Sequence, residues 1–208
     1  MPRVLLVDDH PIVRKGIRAI LEDRIASIEI DEVDDGESAL GSLEKHYDLV
    51  VLDLGLPGRS GIDLLAEIKH RQPKLPVLVV SLHAEEQFAV RALRAGAAGY
   101  LTKAAAPEQL ATAFDRIMKG GRYITDSLAE RLATQAGGDD RAAPHDRLSD
   151  REFEVMLGIA SGESTGNIAT RMCLSVKTVS TYRARLLEKM GMSSNADLTR
   201  YVIENGLA

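Results

Sequence analysis

Leu49-Val50-Val51-Leu52-Asp53-Leu54-Gly55-Leu56-Pro57-Gly58 decides the fold of this chain. Four apolar residues in a row, without the alternation of a half-exposed strand, read as a strand covered on both faces. The run stops at a carboxylate and a turn rich in Gly and Pro. Outward from this stretch the pattern repeats. Arg3 to Val7 ends at Asp8-Asp9, Val77 to Leu82 passes through Ser81, and Ala98 to Thr102 ends at Lys103, with Ile28 to Val33 as a further strand. Helical spacing separates them over Pro11 to Glu22, Glu37 to Glu44, Ile62 to His70, Glu85 to Ala95 and Pro107 to Met118. Five such βα units predict a doubly wound α/β domain with a five-stranded parallel sheet in the order 2-1-3-4-5.

The chain has 208 residues, 45% of them apolar, enough for two ordinary domains with real cores. No apolar stretch approaches the roughly 20 residues that cross a bilayer, and Met1-Pro2-Arg3 runs straight into a strand, so no membrane partner and a cytoplasmic location are expected. The single cysteine, Cys173, has no ligand-spaced Cys or His beside it and reads as a small buried hydrophobe. The βα pattern ends near Lys119-Gly120-Gly121. A short amphipathic stretch, Ser127 to Ala133, precedes Gly137-Gly138-Asp139-Asp140-Arg141-Ala142-Ala143-Pro144, which reads as a flexible linker. Residues 1–120, 121–146 and 147–208 are therefore expected to form an α/β domain, a linker with a short helix, and an all-α domain. The last contains four helices, near Asp150 to Ala160, Thr165 to Met172, Val176 to Met190 and Asn195 to Glu204.

Ligands of an open parallel sheet bind outside the carboxyl ends of its strands, where strand order reverses. Here that point lies between the first and third strands and gathers Asp8, Asp9 and Asp53. Two carboxylates and a backbone carbonyl, that of Gly55, would suit Mg²⁺, a hard cation that prefers oxygen. Lys103 could compensate charge on a phosphoryl group and Ser81 could donate a hydrogen bond to it. Each of these residues alone has a plainer explanation, such as an Asp capping a helix or a solvated strand-end Lys or Ser. Their joint occurrence on four strand ends is what points to phosphoryl chemistry.

Leu6-Val7-Asp8-Asp9-His10, Asp53-Leu54-Gly55-Leu56-Pro57-Gly58, Ser81-Leu82-His83 and Gly96-Ala97-Ala98-Gly99-Tyr100-Leu101-Thr102-Lys103 closely resemble the receiver domain of bacterial response regulators. The resemblance covers about residues 3 to 120 and implies a flavodoxin-like domain. In it Asp53 accepts phosphate from a sensor histidine kinase, Asp8 and Asp9 hold Mg²⁺, and Ser81 and Tyr100 act as switch residues. Ala104 stands where the family usually has a proline after the strand-five lysine. His83 lies near the pocket, but nothing in the sequence makes it a base.

In the C-terminal region eight Lys/Arg face seven Asp/Glu from residue 147 onward, whereas the whole chain carries −5. Within Ser175 to Met190 the bases Lys177, Arg183, Arg185 and Lys189 face only Glu188. On this helix Val179, Leu186, Leu187 and Met190 form an apolar stripe, with Tyr182 or Arg183 at its margin. Lys177, Ser180, Thr181, Ala184, Arg185 and Glu188 lie on another face. Short side chains let a helix approach a major groove, and flanking bases hold phosphates. A basic amphipathic helix alone is usually a solvated surface. With Gly166-Asn167-Ile168-Ala169 and the turn Cys173-Leu174-Ser175 before it, the spacing is that of a helix-turn-helix. The segment resembles the LuxR-type DNA-binding domain, and the whole chain a NarL/FixJ-family response regulator. DNA-binding residues are then expected at Lys177, Thr178, Ser180, Thr181, Ala184, Arg185 and Lys189. The resemblance also implies promoter half-sites in double-stranded DNA, a homodimer on activation, RNA polymerase as a further partner, and no enzyme activity. Two other readings stand beside this one: an aspartyl phosphohydrolase, against which Gly55 occupies the place of a second Asp, and a phosphorylation-independent DNA-binding or interaction protein whose receiver serves only for docking.

Overall fold

The computed structural model describes residues 1–57, 60–82, 85–136 and 143–207; His83, Gly58 and most of the glycine-rich linker lie outside them. The chain divides into two compact units, Met1–Ala133 and Thr134–Ala208, a division that falls within the segment expected to be the linker.

In the first unit β1 (Arg3–Val7), β2 (Glu29–Val33), β3 (Leu49–Leu52), β4 (Val77–Ser81) and β5 (Gly99–Thr102) form one parallel sheet in the order β2-β1-β3-β4-β5. The central strands β3 and β4 are buried throughout, as their unbroken apolar sequence requires. β2, Glu-Ile-Asp-Glu-Val, lies on an edge, and its charged residues discourage pairing with another chain. Helix α1 (Pro11–Arg24) begins with proline, whose fixed φ suits the first turn, and α2 (Gly36–Ser42) is capped by Asp35, which accepts from the amides of Glu37 and Ser38 at 2.8 Å. Ile17 and Leu21 of α1 join Leu110, Phe114 and Ile117 of α5 (Ala106–Met118) over Val4, Leu6, Val51, Val80 and Leu101 of the sheet. Each such fully buried side chain contributes roughly 1.5–3 kcal/mol of transfer free energy.

Helix α3 (Gly61–Arg71) starts against the turn that follows Asp53: a Cβ on Gly61 would lie 2.3 Å from Leu54 Cα. Only glycine lets helix and turn meet so closely, which seats the loop carrying Asp53. Helix α4 is Glu85–Arg94. After α5 the chain returns along the outer edge of β5, where Tyr123 bridges Gly99, and enters α6 (Asp126–Ala136).

The second unit is helical. A 3-10 turn (Pro144–Arg147) leads into α7 (Asp150–Ala160), α8 (Thr165–Arg171), α9 (Val176–Met190) and α10 (Asn195–Glu204). Each of the four has a serine N-cap: Ser149, Ser164, Ser175 and Ser194. Such a cap is worth about 0.5–2 kcal/mol. Phe153, Met156, Ile168, Val179, Leu186, Leu198 and Val202 are buried in its core. Cys173 corrects the sequence reading, because it is exposed. It takes a left-handed φ of 52° at the end of α8, where its amide bonds the Thr170 carbonyl and the next amide, of Leu174, bonds Ala169. This helix-ending arrangement faces its left-handed residue to solvent rather than to the core.

Candidate acidic centre and nucleic-acid interface

Neighbouring parallel strands bring the pocket together. The Asp53 amide donates to the Val7 carbonyl at 2.8 Å, placing Asp53 beside Asp8, and the Lys103 amide donates to Ser81 at 2.8 Å across the β4/β5 pair. Lys103 then reaches back over the sheet, with Nζ 2.7 Å from both Asp53 Oδ2 and Asp8 Oδ2. Asp8 and Asp53 are 1% and 3% exposed. Asp9, at the rim, lies with Oδ1 2.6 Å from His10 Nδ1, which is also 3.2 Å from Asp8 Oδ1. The Gly55 amide donates to Asp53 Oδ1 at 3.1 Å.

The charges do not balance. Burial pushes the Asp53 carboxyl above the ordinary value of 3.8, and Asp8 adds to the rise; Lys103 and the Gly55 amide oppose it without cancelling it. Burial works against the Lys103 ammonium too, but the pull of the Asp53 and Asp8 carboxylates beside it outweighs that and holds its pKa above 10.5. The ammonium stays charged and the acids remain in excess.

The donor set fits a divalent cation. Ligand atoms of Asp8, Asp9, His10 and Asp53 all lie within 4.8 Å of one another. Asp8 Oδ2 and Asp9 Oδ1 are buried and have no aligned hydrogen-bond donor among the described residues, despite the nearness of Lys103 and His10. Hard carboxylate oxygens left over in this way suit Mg²⁺.

Ser81 is fully buried at the end of β4, and Tyr100, paired with Val79, is 1% exposed. The Tyr100 side chain is therefore buried within the unit. The loop after Lys103 is a turn in which the Ala105 amide bonds both the carbonyl and the hydroxyl of Thr102, and no cis peptide occurs among the described residues. Two residues of the pocket were not read from the sequence. His10 appeared only within the motif Leu6-Val7-Asp8-Asp9-His10 and was given no role, although its place next to Asp9 was a usable signal. Arg14, whose guanidinium holds the Asp8 carbonyl and also bonds Glu32 of β2, gave none, because its partner lies 18 residues away on another strand.

In the second unit α9 exposes Lys177, Ser180, Thr181, Ala184, Arg185 and Glu188 on one face and buries Val179, Leu186 and Met190 on the other. The bases divide into two kinds. Arg183 donates to Asn195 Oδ1 at 2.6 Å and Lys189 Nζ lies 2.7 Å from Glu152 Oε2, so both are engaged inside the unit. The side chains of Lys177 and Arg185 have no hydrogen-bond or ion-pair partner among the described residues. Thr178 is half-buried, with its hydroxyl 2.8 Å from that of the capping Ser175.

A parallel sheet with acids at its switch point and a helical unit that presents a basic helix define a receiver joined to a helix-turn-helix module. Residues 4–115 match the response regulator receiver domain, and residues 146–202 match the luxR family of bacterial regulatory proteins. The chain is 36% identical over 209 residues to the response regulator GacA of Pseudomonas aeruginosa, covering 100% of this chain and 98% of GacA. It is 40% identical to the transcriptional activator protein ExaE of Pseudomonas putida, covering 98% and 97%. Among solved structures it is similar to RcsB from Salmonella enterica serovar Typhimurium bound to promoter rprA in the presence of phosphomimetic BeF3−, with TM-score 0.66, 28% identity and coverage of 97% and 98%. The chain belongs to the NarL/FixJ family of two-component response regulators. It is a transcription regulator with a LuxR-type DNA-binding domain, and none of its described helices is long and apolar enough to cross a membrane.

Proposed function

We propose that Asp53 accepts a phosphoryl group from a phosphohistidine of a sensor histidine kinase and that the resulting acyl phosphate controls DNA binding in the cytoplasm. The observation that carries this reading is the Lys103 ammonium held 2.7 Å from both Asp53 and Asp8 in a buried pocket with surplus acid. In the transfer a carboxylate oxygen of Asp53 bonds to phosphorus as the N–P bond breaks, its electron pair leaving with the histidine nitrogen. Asp8, Asp9 and the Gly55 carbonyl would hold Mg²⁺ together with Asp53, and the ion, when bound, offsets repulsion between carboxylate and phosphoryl group. Lys103 moves its ammonium from the carboxylates to a phosphoryl oxygen, and Ser81 donates to another. No turnover of a released substrate follows, so the domain is a switch and not an enzyme.

Tyr100, buried on β5, favours the activated arrangement of α4, β5 and α5 once Ser81 and Lys103 have moved. Phosphate acts by favouring one of two existing states, and moving them from 1:99 to 99:1 takes about 5.5 kcal/mol of differential stabilisation. The activated chain forms a homodimer, through that surface or through α1 and α5, and reads paired half-sites in promoter DNA, from which RNA polymerase is regulated. The working modules are residues 1–120 and 147–208, joined by 121–146. On α9, Ser180, Thr181 and Ala184 approach the bases, Lys177 and Arg185 hold phosphates, Thr178 supports the helix start, and Lys189 reaches phosphate only by leaving Glu152. Gel shifts at fixed salt, with and without a small-molecule phosphodonor and Mg²⁺, test the reading. Phosphodonor should tighten DNA binding by the native chain and leave Asp53→Ala unchanged; equal tightening of both would overturn it.

A further inference from the structure

The hydroxyls on the exposed face of α9 are not free rotors. Ser180 Oγ donates to the Val176 carbonyl at 2.9 Å, and Thr181 Oγ1 donates to the Lys177 carbonyl at 3.0 Å. Each hydroxyl has one proton, and in both residues it is bound to the helix's own backbone. What remains outward is lone pairs, together with the methyl groups of Thr181 and Ala184. Two of the four long donors that could reach a guanine edge are engaged within the unit, Arg183 by Asn195 and Lys189 by Glu152. Lys177 and Arg185 flank the short residues rather than lie among them.

The four base pairs differ in the major groove by their donors, acceptors and the thymine methyl. An acceptor-only hydroxyl meets a partner in the N6 amino group of adenine or the N4 amino group of cytosine. Against guanine it faces two acceptors, N7 and O6, with no proton to offer. A methyl at close range complements the C5-methyl of thymine. We propose that α9 selects its half-site through base amino groups and methyls, Ser180 and Thr181 reading adenine or cytosine and Ala184 a thymine, rather than by grasping guanine. This rests on the reading of α9 as the DNA-contacting helix, and it adds which base chemistry that helix selects.

The experiment starts from duplexes that the full-length, phosphodonor-treated chain enriches from a random pool. Failure to enrich any sequence over competitor DNA would sink the DNA-contacting reading itself. With an enriched duplex in hand, each half-site adenine is replaced by purine, which lacks the N6 amino group, and each thymine by uracil, which lacks the methyl. At least one purine replacement should weaken binding about 2- to 10-fold, the range of one neutral hydrogen bond. Thr181→Val, which keeps the methyl and removes the hydroxyl, or Ser180→Ala should abolish that penalty while the salt slope stays that of the native chain. At least one uracil replacement should cost the native chain affinity, and Ala184→Gly should remove that cost. The proposal is overturned if amino and methyl deletions are both without effect, if Thr181→Val and Ser180→Ala retain the native penalty, or if discrimination rests on guanine and is lost in Arg185→Ala.

Discussion

Each unit sets a buried carboxylate against a lysine, Asp53 against Lys103 and Glu152 against Lys189, and at first sight the two look alike. Asp53 and Glu152 are both 3% exposed, and Lys103 and Lys189 each approach within 2.7 Å. Yet the acids shift in opposite directions. Burial pushes both up. For Glu152 the Lys189 ammonium and the amide and hydroxyl of Ser149 overcome it and hold the acid below 4.5, whereas Asp53 stays above 3.8. The difference lies first in burial, because Asp53 sits deeper and its charge costs more there. It lies then in the partners, because Asp53 shares its cation with a second acid while Glu152 also has Ser149. Glu152 has Lys189 to itself, and it closes a capping box through the Ser149 amide at 2.8 Å. Asp53 divides Lys103 with Asp8 and has Asp9 at the rim. A satisfied pair holds a helix in place; an oversupplied one holds charge in reserve for a cation and a phosphoryl group.

The largest expected effect is complete loss. Asp53→Asn should abolish labelling by a small-molecule phosphodonor, read by intact mass, while Glu152→Gln labels as the native chain does. Label retained on the Asp53 variant would make the two pairs equivalent and break the comparison.

Stability should then move in opposite senses. Glu152→Gln removes a charge-assisted bond and weakens the cap of α7, so urea denaturation should show a loss of about 2 kcal/mol. In metal-free buffer Asp53→Asn removes surplus buried charge and should stabilise the chain by about 1 kcal/mol. Destabilisation by both substitutions would mean that Lys103 balances its pocket as fully as Lys189 does.

Protonation sharpens the same contrast. A carboxyl raised above its unfolded value contributes stability that is present below 3.8 and is lost as pH rises through the folded pKa. One held below its unfolded value contributes stability that is present above 4.5 and is lost as pH falls through the folded pKa. The advantage of Asp53→Asn over the native chain should therefore grow from about pH 4 towards neutrality. The deficit of Glu152→Gln should shrink over the acid side of that range. Urea midpoints measured against pH, variant by variant, give both slopes.

The smallest effect separates an engaged cation from an unengaged one. Lys177→Ala should weaken binding to all sequences and lower the salt slope by about one unit. Lys189→Ala, whose ammonium already serves Glu152, should change the slope by clearly less. Equal changes would place Lys189 on a phosphate as well.

Much of this molecule could be read along the chain, because backbone order and periodicity are local properties. The apolar runs of β3 and β4 fixed buried strands, the acids at strand ends marked the pocket, and the 3.6-residue repeat from Val176 to Met190 placed Lys177, Ser180, Thr181, Ala184 and Arg185 on the exposed face. What the tertiary structure alone decided is who pairs with whom. Lys103 reaches an acid 50 residues away and Lys189 one 37 residues away, and no local pattern distinguishes a lysine that is shared from one that is not. The same holds for Arg14 behind Asp8 and for the outward turn of Cys173. A side chain's charge state and direction depend on distances in space, and those exist only once sheet and helices have packed.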